Sequence, residues 1–357
     1  MIINAPISYL GYGVCGYNIC KTLAENNMLT AIHTIGDPEH ELYKELSAYD
    51  WRQKYTYELD PVVRIWHQHD VHPRLNADCS HIGFPFFELD TLTHVERLSM
   101  NACDKIYVAS EWAKQVCLDN GISIPICVVP LGVDRNIFNE HKNVSTSSTV
   151  FFNCGKWEVR KGHDILKMAF EKAFSPNDNA ELWMMCEIPF PSLAHVNQHW
   201  NNLYLNTNHK IRIIPRQAGH SGVYNIMRKI DCGIFPARAE GWNLEALEVL
   251  SCGKHLIITN YSAHTEYANS ENSMLVQVDN LETAQDGVWF NGQGNWAKIE
   301  QDQIDQMVEY MRRVHKAKQE QRLGTNWAGV ETAKFFSWSN TIQKIQEGLN
   351  YDTGRNT

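Results

Sequence analysis

Two glutamates in the second half of the chain lie in a stretch that could place two carboxylates beside the N-terminus of a helix. Glu240 and Glu248 are separated by seven residues, and their stretch follows the short apolar run Ile234–Phe235. This pattern predicts a strand, then a loop that carries Glu240, then a helix that holds Glu248 in its first turns. Carboxylates accept hydrogen bonds from sugar hydroxyls, and the free N–H groups of a helix that begins near Asn243 and Leu244 favour a phosphate.

A cluster of cations precedes these glutamates in the sequence. Lys156 and Lys161 lie in the stretch Gly155–Gly162, which follows the apolar run Val150–Cys154. Cations in a glycine-flanked loop between a strand and a helix neutralise a diphosphate and stabilise the negative charge that builds on a nucleotide leaving group. Such a cluster on its own is more often a solvated basic turn. Its position ahead of the glutamate pair favours the diphosphate.

Together, the glutamate pair and the basic loop resemble the motifs of the retaining nucleotide-sugar glycosyltransferases of glycosyltransferase family 4, which have the GT-B fold. Glu240 and Glu248 fit the family's pair of glutamates, and Lys161 matches the lysine of its basic motif. Lys156 stands where the family has an arginine, so the charge is kept but the bidentate fork is lost. The resemblance implies that Glu240 contacts the donor sugar and Glu248 its ribose, while both lysines stabilise the departing diphosphate.

The elements that position these residues follow from the hydrophobic pattern. Short apolar runs alternate with longer amphipathic stretches in two series, and a polar linker at residues 139–149 separates them. We therefore expect an α/β fold with two Rossmann-like, doubly wound domains, which face a central cleft in the GT-B arrangement that the resemblance implies. The predicted boundaries are 1–140 for an acceptor-side domain, 141–335 for a nucleotide-sugar-binding domain, and 336–357 for a helix that crosses back to the first domain.

Three local predictions accompany this plan. Ser110 is expected to cap a helix over residues 111–118. Residues 302–318 have the pattern of an amphipathic helix. The glycine- and asparagine-rich residues 291–295 are expected to form a surface loop.

Gly11, Gly13 and Gly16 follow a short apolar run and precede a helical stretch over residues 17–26. A glycine-rich loop at this place lets the backbone approach a phosphate or sugar closely, although tight turns use the same residues. The family resemblance implies that this loop faces the donor diphosphate. It also places Arg216 near the nucleotide base, with a plain surface loop as the alternative.

Histidines are concentrated in residues 66–72. His67, His69 and His72 suggest a metal site, but the dinuclear metallohydrolase pattern has an aspartate directly before its last histidine, whereas a valine stands there in this chain. No metal ligand is therefore assigned, and the metallohydrolase is kept as a rival. The resemblance implies instead an acceptor-side stretch in which His69 or Asp70 orients the attacking hydroxyl or holds a sugar hydroxyl.

The following stretch, residues 81–90, adds His81 and Glu88 to the acceptor side in the same resemblance. A run of aromatic residues precedes Glu88. Aromatic faces suit the stacking of a sugar or a base, but the edge of a packed core explains them equally well.

Composition restricts the class of protein. A chain of 357 residues is long enough for two domains, and a net charge of −9 argues against broad non-specific affinity for DNA or anionic membranes. The ten cysteines contain no C-x-x-C pair, which excludes the usual zinc and redox motifs. The N-terminal residues do not resemble a signal peptide, and no apolar run approaches the roughly 18 residues of a membrane span. We therefore expect a cytoplasmic protein without an integral membrane segment.

The resulting hypothesis is a metal-independent, retaining glycosyltransferase. It moves a sugar from a nucleoside diphosphate sugar, with a UDP-sugar favoured, to an acceptor hydroxyl, and it needs no cofactor besides this donor. A saccharide or another hydroxylated molecule is one acceptor, and the hydroxymethylated bases of phage DNA are an alternative that rests on fold analogy. A catalytically silent nucleotide-sugar-binding protein remains a further rival. The oligomeric state is not predicted.

Overall fold

The computed structural model describes residues 1–53, 60–73, 79–217 and 219–350. The chain forms two compact units: unit 1 is Met1–Gly132 with Phe336–Thr357, and unit 2 is Val133–Phe335. Each unit contains a six-stranded parallel sheet with helices, which confirms the α/β fold class.

Unit 1 is built around its parallel sheet. The strands are β1 (Ile2–Ala5), β2 (Ala31–Thr34), β3 (Val62–Arg64), β4 (His81–Gly83), β5 (Lys105–Val108) and β6 (Ile126–Val128). They pair in the order β2-β1-β3-β4-β5-β6. Every residue of β1 and β5 is buried, as expected of strands that are covered on both faces. The helices that follow these strands are α1 (Gly11–Glu25), α2 (His40–Leu46), α3 (His94–Asn101) and α4 (Glu111–Asp119).

The predicted glycine-rich loop near the N-terminus is wrong, because α1 already begins at Gly11 and holds Gly11, Gly13 and Gly16 within the helix. Gly13 and Gly16 allow close packing, and they are not needed for a loop conformation. A side chain at Gly13 would overlap Ser8, and one at Gly16 would overlap the carbonyl oxygen of Pro6. The start of α1 therefore lies directly against the end of the strand that precedes it.

The prediction for α4 is confirmed. The Ser110 side chain accepts a hydrogen bond from the backbone N–H of Ala113 at 3.2 Å, and the helix begins at Glu111. This contact satisfies one of the donors that a helix N-terminus leaves unpaired.

Unit 2 has the same construction. Its parallel strands are β7 (Thr149–Gly155), β8 (Ala180–Cys186), β9 (Ile211–Ile213), β10 (Cys232–Phe235), β11 (His255–Thr259) and β12 (Met274–Val276). They pair in the order β12-β11-β10-β7-β8-β9, so β10 and β7 are adjacent at the centre. The helices are α5 (His163–Ala173), α6 (Ala194–Leu205), α7 (Gly219–Met227), α8 (Leu244–Ser251), α9 (Gln301–Gln319) and α10 (Trp327–Phe335). The predicted amphipathic helix over 302–318 is confirmed as α9.

The predicted surface loop at residues 291–295 is wrong, because these residues belong to a strand. Strand β13 (Leu281–Gln285) pairs antiparallel with β14 (Asn291–Ala297), and the two form a hairpin between β12 and α9. The inward positions of β14 are Gly294 and Trp296, both buried. Because a glycine fills one inward position, the alternation of apolar and polar residues that marks a strand is absent from the sequence.

The last helix, α11 (Trp338–Asn350), packs in unit 1. The Tyr107 hydroxyl on β5 donates to the carbonyl oxygen of Ile345 at 3.0 Å, and Thr341 Oγ1 donates to the carbonyl oxygen of Pro130 at 2.8 Å. A side chain at Gly132 would overlap the backbone of Ser337 and Trp338, so the chain leaves unit 1 and re-enters it in close contact. None of the helices in the described ranges has the length and apolar character needed to span a membrane.

Candidate functional site

The basic loop and the glutamate loop meet at the carboxyl edge of the unit 2 sheet. β7 ends at Gly155 and β10 ends at Phe235, so the segments that follow these neighbouring strands emerge side by side. Lys161 Nζ donates to Glu240 Oε1 at 2.6 Å, although 79 residues separate the two in the sequence. The two motifs that sequence analysis identified are therefore parts of one cluster, at the edge where ligands of parallel sheets bind.

Two glycines allow this approach. Gly155 has φ +135°, and a Cβ at this position would lie 3.2 Å from Cε of Lys161. Gly162 has φ +74° in the left-handed region, and a side chain there would overlap the carbonyl group of Pro236. The glycines that flank the basic loop thus bring its lysine and the loop after β10 together.

Five charged side chains in this cluster alternate in sign. Lys156 Nζ lies 2.5 Å from Glu158 Oε1, and Glu158 Oε2 lies 2.7 Å from a terminal nitrogen of Arg160. Arg160 in turn contacts Glu240 Oε2 at 2.8 Å, and Glu240 Oε1 contacts Lys161 at 2.6 Å. We call this series the ion chain. Its two carboxylates are buried, with Glu158 4% and Glu240 5% exposed, and each has a cation on both sides.

The ion chain fixes the charge of Glu240. Burial alone would raise the pKa of Glu240, but the charges of Arg160 and Lys161 outweigh burial and hold this pKa well below its usual value. Burial lowers the pKa of Lys161, and the Glu240 carboxylate more than reverses that change, so the ammonium stays protonated. A carboxylate bound by two cations is a weak base and a weak nucleophile, so this arrangement suits Glu240 for binding and positioning.

Asn243 forms the N-terminal cap of α8. It takes a left-handed conformation with φ 76°, and its Oδ1 accepts from the backbone N–H of Ala246 at 3.2 Å. Its Nδ2 donates to His264 Nε2 at 3.0 Å, while His264 Nδ1 donates to the carbonyl oxygen of Thr259 at 3.1 Å. Leu244 is the first residue of the helix. The predicted phosphate-binding pair therefore lies at a rigidly capped helix N-terminus.

The imidazole of His264 is neutral in this arrangement, since one ring nitrogen donates and the other accepts. Burial lowers the pKa of His264 to about 4, although the nearby Glu240 carboxylate acts in the opposite direction. Glu240 is linked to the same loop because its backbone N–H donates to Ser262 Oγ at 2.8 Å.

Glu248 lies in the second turn of α8 and is 8% exposed. Burial raises the pKa of Glu248 well above its usual value, and the neighbouring Glu245 adds to this increase. Among the described residues, none forms an ion pair with Glu248. The two glutamates of the sequence motif therefore differ in their surroundings: Glu240 is paired with two cations, whereas Glu248 is buried with a raised pKa.

Sequence reasoning missed Arg160, the central cation of the ion chain. Its NH1 also donates to the carbonyl oxygen of Ala239 at 2.7 Å, so it fixes the residue before Glu240 as well as Glu240 itself. Arg160 directly precedes Lys161, and two adjacent cations in a loop were the available signal. Its contact with a loop 79 residues away depends on strand order, which the sequence alone does not provide.

His163 was also missed. Its Nδ1 accepts from the backbone N–H of Glu158 at 3.1 Å, and its Nε2 donates to Asn153 Oδ1 at 2.9 Å. The ring is fully buried, and burial lowers the pKa of His163 well below its usual value. The neutral side chain of His163 therefore links the basic loop to β7 through two hydrogen bonds.

In unit 1, three of the four acceptor-side candidates lie beyond the carboxyl ends of β3 and β4, whereas His81 is the first residue of β4 and lies at the amino end of that strand. His69 is exposed and stacks on His67 with ring centroids 5.6 Å apart. Asp70 is held by Arg64, with 2.6 Å between Asp70 Oδ2 and Arg64 NH2. His81 is buried within β4 itself, and Glu88 is half-buried.

Tyr12 at the start of α1 joins the two acceptor-side stretches. Its hydroxyl donates to the carbonyl oxygen of Phe86 at 2.8 Å and accepts from the backbone N–H of the same residue at 3.1 Å. Its ring centroid lies 4.7 Å from that of His67 and 5.6 Å from that of Trp66. Tyr12, Trp66 and His67 thus form an aromatic cluster, which we call the Tyr12 cluster. It lies in the region where sequence analysis predicted the acceptor.

The rival metal site is not assembled from the predicted histidines. His67 stacks on His69, whereas His72 packs against His81 with ring centroids 4.8 Å apart. Within residues 1–53, 60–73, 79–217 and 219–350, no three histidine, cysteine, aspartate or glutamate side chains converge as metal ligands would. Arg216, the predicted base-side residue, is exposed just beyond β9.

Comparison with known proteins agrees with this geometry. Residues 148–288 match the family model described as glycosyl transferases group 1, and this range includes the whole ion chain and α8. Among curated proteins, no sequence match was found.

Solved structures resemble the whole chain. A glycosyltransferase from Rickettsia africae has a TM-score of 0.68 at 15% identity and covers 100% of this chain and 99% of its own. Sucrose-phosphate synthase from Thermosynechococcus elongatus has a TM-score of 0.65 at 12% identity, with 99% and 98% covered. HepE from Anabaena, in complex with UDP and glucose, has a TM-score of 0.63 at 14% identity, with 98% and 99% covered.

The family model and the two parallel sheets lead to one conclusion: residues 148–288 form a group 1 glycosyltransferase domain, and the chain has the GT-B fold.

Proposed function

We propose that this glycosyltransferase moves a sugar from a UDP-sugar to an acceptor hydroxyl with retention of anomeric configuration and without a metal ion. The ion chain beside the N-terminus of α8 is the observation that carries the proposal. It provides three cations and a capped helix N-terminus at the carboxyl edge of one sheet. These are the groups that stabilise a diphosphate.

Each residue of the donor site has a distinct role in this proposal. Lys156 and Lys161 contact the diphosphate, and the backbone around Asn243 and Leu244 completes its binding. Glu240, an anion held in place from two sides, accepts hydrogen bonds from the donor sugar. Glu248, the buried carboxyl group of α8, contacts the ribose.

The bond between the anomeric carbon and the diphosphate oxygen breaks in the transfer, and a bond from that carbon to the acceptor oxygen forms on the same face of the sugar. Negative charge accumulates on the departing nucleoside diphosphate, and the acceptor hydroxyl loses a proton. Fixed cations lower the energy of that charge without reorganising during the step. The two lysines and the helix N-terminus supply the charge that a divalent cation provides in other phosphate enzymes, which supports the metal-independent form of the proposal.

The choice of UDP is supported by the HepE structures, which hold UDP with glucose or UDP-glucose. On the donor side we also place Arg216 at the base. The reaction is proposed to take place in the cytoplasm.

The acceptor side consists of His69, Asp70, His81 and Glu88 around the Tyr12 cluster. Aromatic faces and carboxylates suit a saccharide hydroxyl. The net charge of −9 opposes a polyanionic acceptor, so a saccharide is preferred to modified DNA.

Thermal unfolding of the purified chain with UDP, GDP, ADP and CMP, and with their sugar conjugates, tests the donor class. A ligand at a hundred times its dissociation constant adds about 2.7 kcal/mol of stability, which raises the unfolding midpoint by several degrees. We expect a selective shift with UDP and a UDP-sugar that a chelator leaves unchanged. Absence of a shift with every nucleotide, or loss of the shift with chelator, would refute the proposal.

A further inference from the structure

The hairpin of β13 and β14 is firmly attached to the donor site of unit 2. Arg238, in the loop after β10, forms two contacts of 2.8 Å with Asp164 and one of 3.2 Å with Glu282 of β13. The indole N–H of Trp296 donates to the same Glu282 carboxylate at 3.1 Å. The backbone N–H of Ala297 donates to the carbonyl oxygen of Arg238 at 2.9 Å. The base of the hairpin is therefore fixed beside the ion chain.

The turn of the hairpin is equally well defined. Asp286 Oδ1 accepts from the backbone N–H groups of Val288, Trp289 and Phe290 at 2.8–2.9 Å. The Asp286 side chain fixes the backbone of the turn, including the backbone of Trp289. Neither the family resemblance nor the sequence pattern assigned a function to this segment.

Trp289 lies against the first cation of the ion chain. Lys156 Nζ is 4.3 Å from the centroid of the Trp289 ring, and the Phe190 ring meets Trp289 edge-on at 6.1 Å. The indole nitrogen of Trp289 is buried and has no hydrogen-bond partner among the residues that the structure describes. A buried donor without an acceptor is unfavourable, so an acceptor from a ligand would stabilise this arrangement.

The order of side chains along the sheet edge indicates which part of a donor reaches Trp289. Glu240 follows β10, Lys156 follows β7, Phe190 follows β8 and Arg216 follows β9, and these four strands are consecutive neighbours. Neighbouring strands lie roughly 4.8 Å apart, so the edge extends on the order of 10–15 Å from the carboxylate to the arginine. A nucleoside diphosphate whose phosphates lie at β10 and β7 therefore has its base beside Phe190 and Trp289.

We propose that Trp289, together with Phe190, recognises the base of the donor nucleotide by stacking, and that its indole N–H donates to an oxygen of the donor. Lys156 leaves the Trp289 ring for the diphosphate, which uncovers the ring face for the base. This inference rests on the proposed function and deepens it, because it names the side chains that bind the base of the nucleoside. Stacking of a base on an aromatic side chain tolerates different bases, so Trp289 contributes affinity and Arg216 selects among bases.

Calorimetric titration of the full chain with UDP, and competition by inorganic pyrophosphate, separate base recognition from phosphate binding. We expect Trp289→Ala to weaken UDP binding about tenfold, Trp289→Phe to keep most of the affinity, and pyrophosphate to bind both variants as it binds the wild type. Trp327→Ala removes an indole that is 59% exposed on α10 and serves as the matched control.

The outcomes distinguish this inference from the proposed function. Unchanged UDP affinity in Trp289→Ala overturns the inference alone. An equal loss of UDP and pyrophosphate affinity also overturns it, because Trp289 would then act only by holding Lys156. If the wild type binds another nucleoside diphosphate in place of UDP, the same comparison is made with that nucleotide. If it binds none, the proposed function and this inference fail together.

Discussion

The proposed donor side in unit 2 and the proposed acceptor side in unit 1 are built in different ways. In unit 2, the charges at the centre of the ion chain are buried, with Glu240 5% and Arg160 5% exposed. In unit 1, His67 and His69 are exposed and make ring contacts with each other and with neighbouring aromatic residues. The charges around Glu240 are thus paired and buried before a ligand arrives, whereas the acceptor side presents exposed rings.

This difference has a chemical reason. Charge develops on the diphosphate during transfer, and fixed dipoles and charges stabilise it best when they need no reorganisation. An acceptor hydroxyl is neutral and is recognised through stacking and a few hydrogen bonds, for which exposed aromatic and polar residues suffice. Changes in the ion chain should therefore have large effects, and changes in the Tyr12 cluster small ones.

The largest effect is expected from Lys161→Met. Removal of this ammonium takes away a diphosphate contact and leaves Glu240 with one of its two cations, so kcat/KM should fall about 10³-fold. Steady-state transfer assays measure this loss, and circular dichroism shows whether the fold is kept. Lys172→Met, which removes a half-exposed lysine paired with Asp305, is the control and should retain full activity. Equal activities of the two variants would show that the ion chain does not act on the donor.

The second effect concerns stability in acid. Above about pH 6.5, His264 is neutral in the folded and unfolded states, and its full contribution to stability is present. As the pH falls towards the folded pKa of about 4, the unfolded state binds a proton that the folded state does not, so stability is lost. The loss attributable to this histidine is about 3 kcal/mol.

Urea unfolding between pH 7.5 and 4 measures this loss. His264→Gln retains an acceptor for Asn243 but does not titrate, so its stability should depend less steeply on pH than that of the wild type. If both proteins lost stability in parallel, His264 would not be the titrating group.

The third effect separates Arg160 from Lys156. Arg160→Lys keeps the charge but cannot contact Glu158, Glu240 and the Ala239 carbonyl together, so activity should fall about 10- to 100-fold. Lys156→Arg restores the residue that the family motif has and should retain activity. If Lys156→Arg lost more activity than Arg160→Lys, the main positioning cation would be Lys156.

The smallest effect is expected in unit 1. Tyr12→Phe removes the hydroxyl that both donates to and accepts from the Phe86 backbone, which should cost about 1 kcal/mol of stability. The unfolding midpoint should fall by roughly 2–4 °C, and the KM for the acceptor should change more than the KM for the donor. A change confined to the donor KM would contradict the assignment of this cluster to the acceptor.

The sequence was sufficient to predict the parts of the site that depend on local pattern. Glu240 and Lys161 each follow an apolar run, and parallel strands present their carboxyl ends at one edge, so their proximity was predictable. The direct contact of Arg160 with Glu240 was not, because it depends on β7 and β10 being neighbours in the sheet. The residues adjacent to Arg160 in the sequence do not indicate the order in which the strands pair.

Glycine caused the errors in the fold. At Gly13 and Gly16 the residue type indicated a loop, whereas the helix uses them to pass close to Ser8 and Pro6. Gly294 occupies an inward-facing strand position without an apolar side chain, so the sequence pattern did not indicate a strand there. In each case a tertiary contact requires the glycine, and the hydrophobic pattern of the sequence does not show such contacts.

The return of α11 to unit 1 has a consequence for biosynthesis. Buried Tyr107 and Lys105 of β5 donate to carbonyl oxygens at Ile345 and Gly348 in α11. A ribosome makes these acceptors more than two hundred residues after β5, so these two hydrogen bonds form only after all of unit 2 has been synthesised. Unit 2, whose residues are contiguous, can complete its fold first. The first unit is therefore completed last, once α11 has left the exit tunnel.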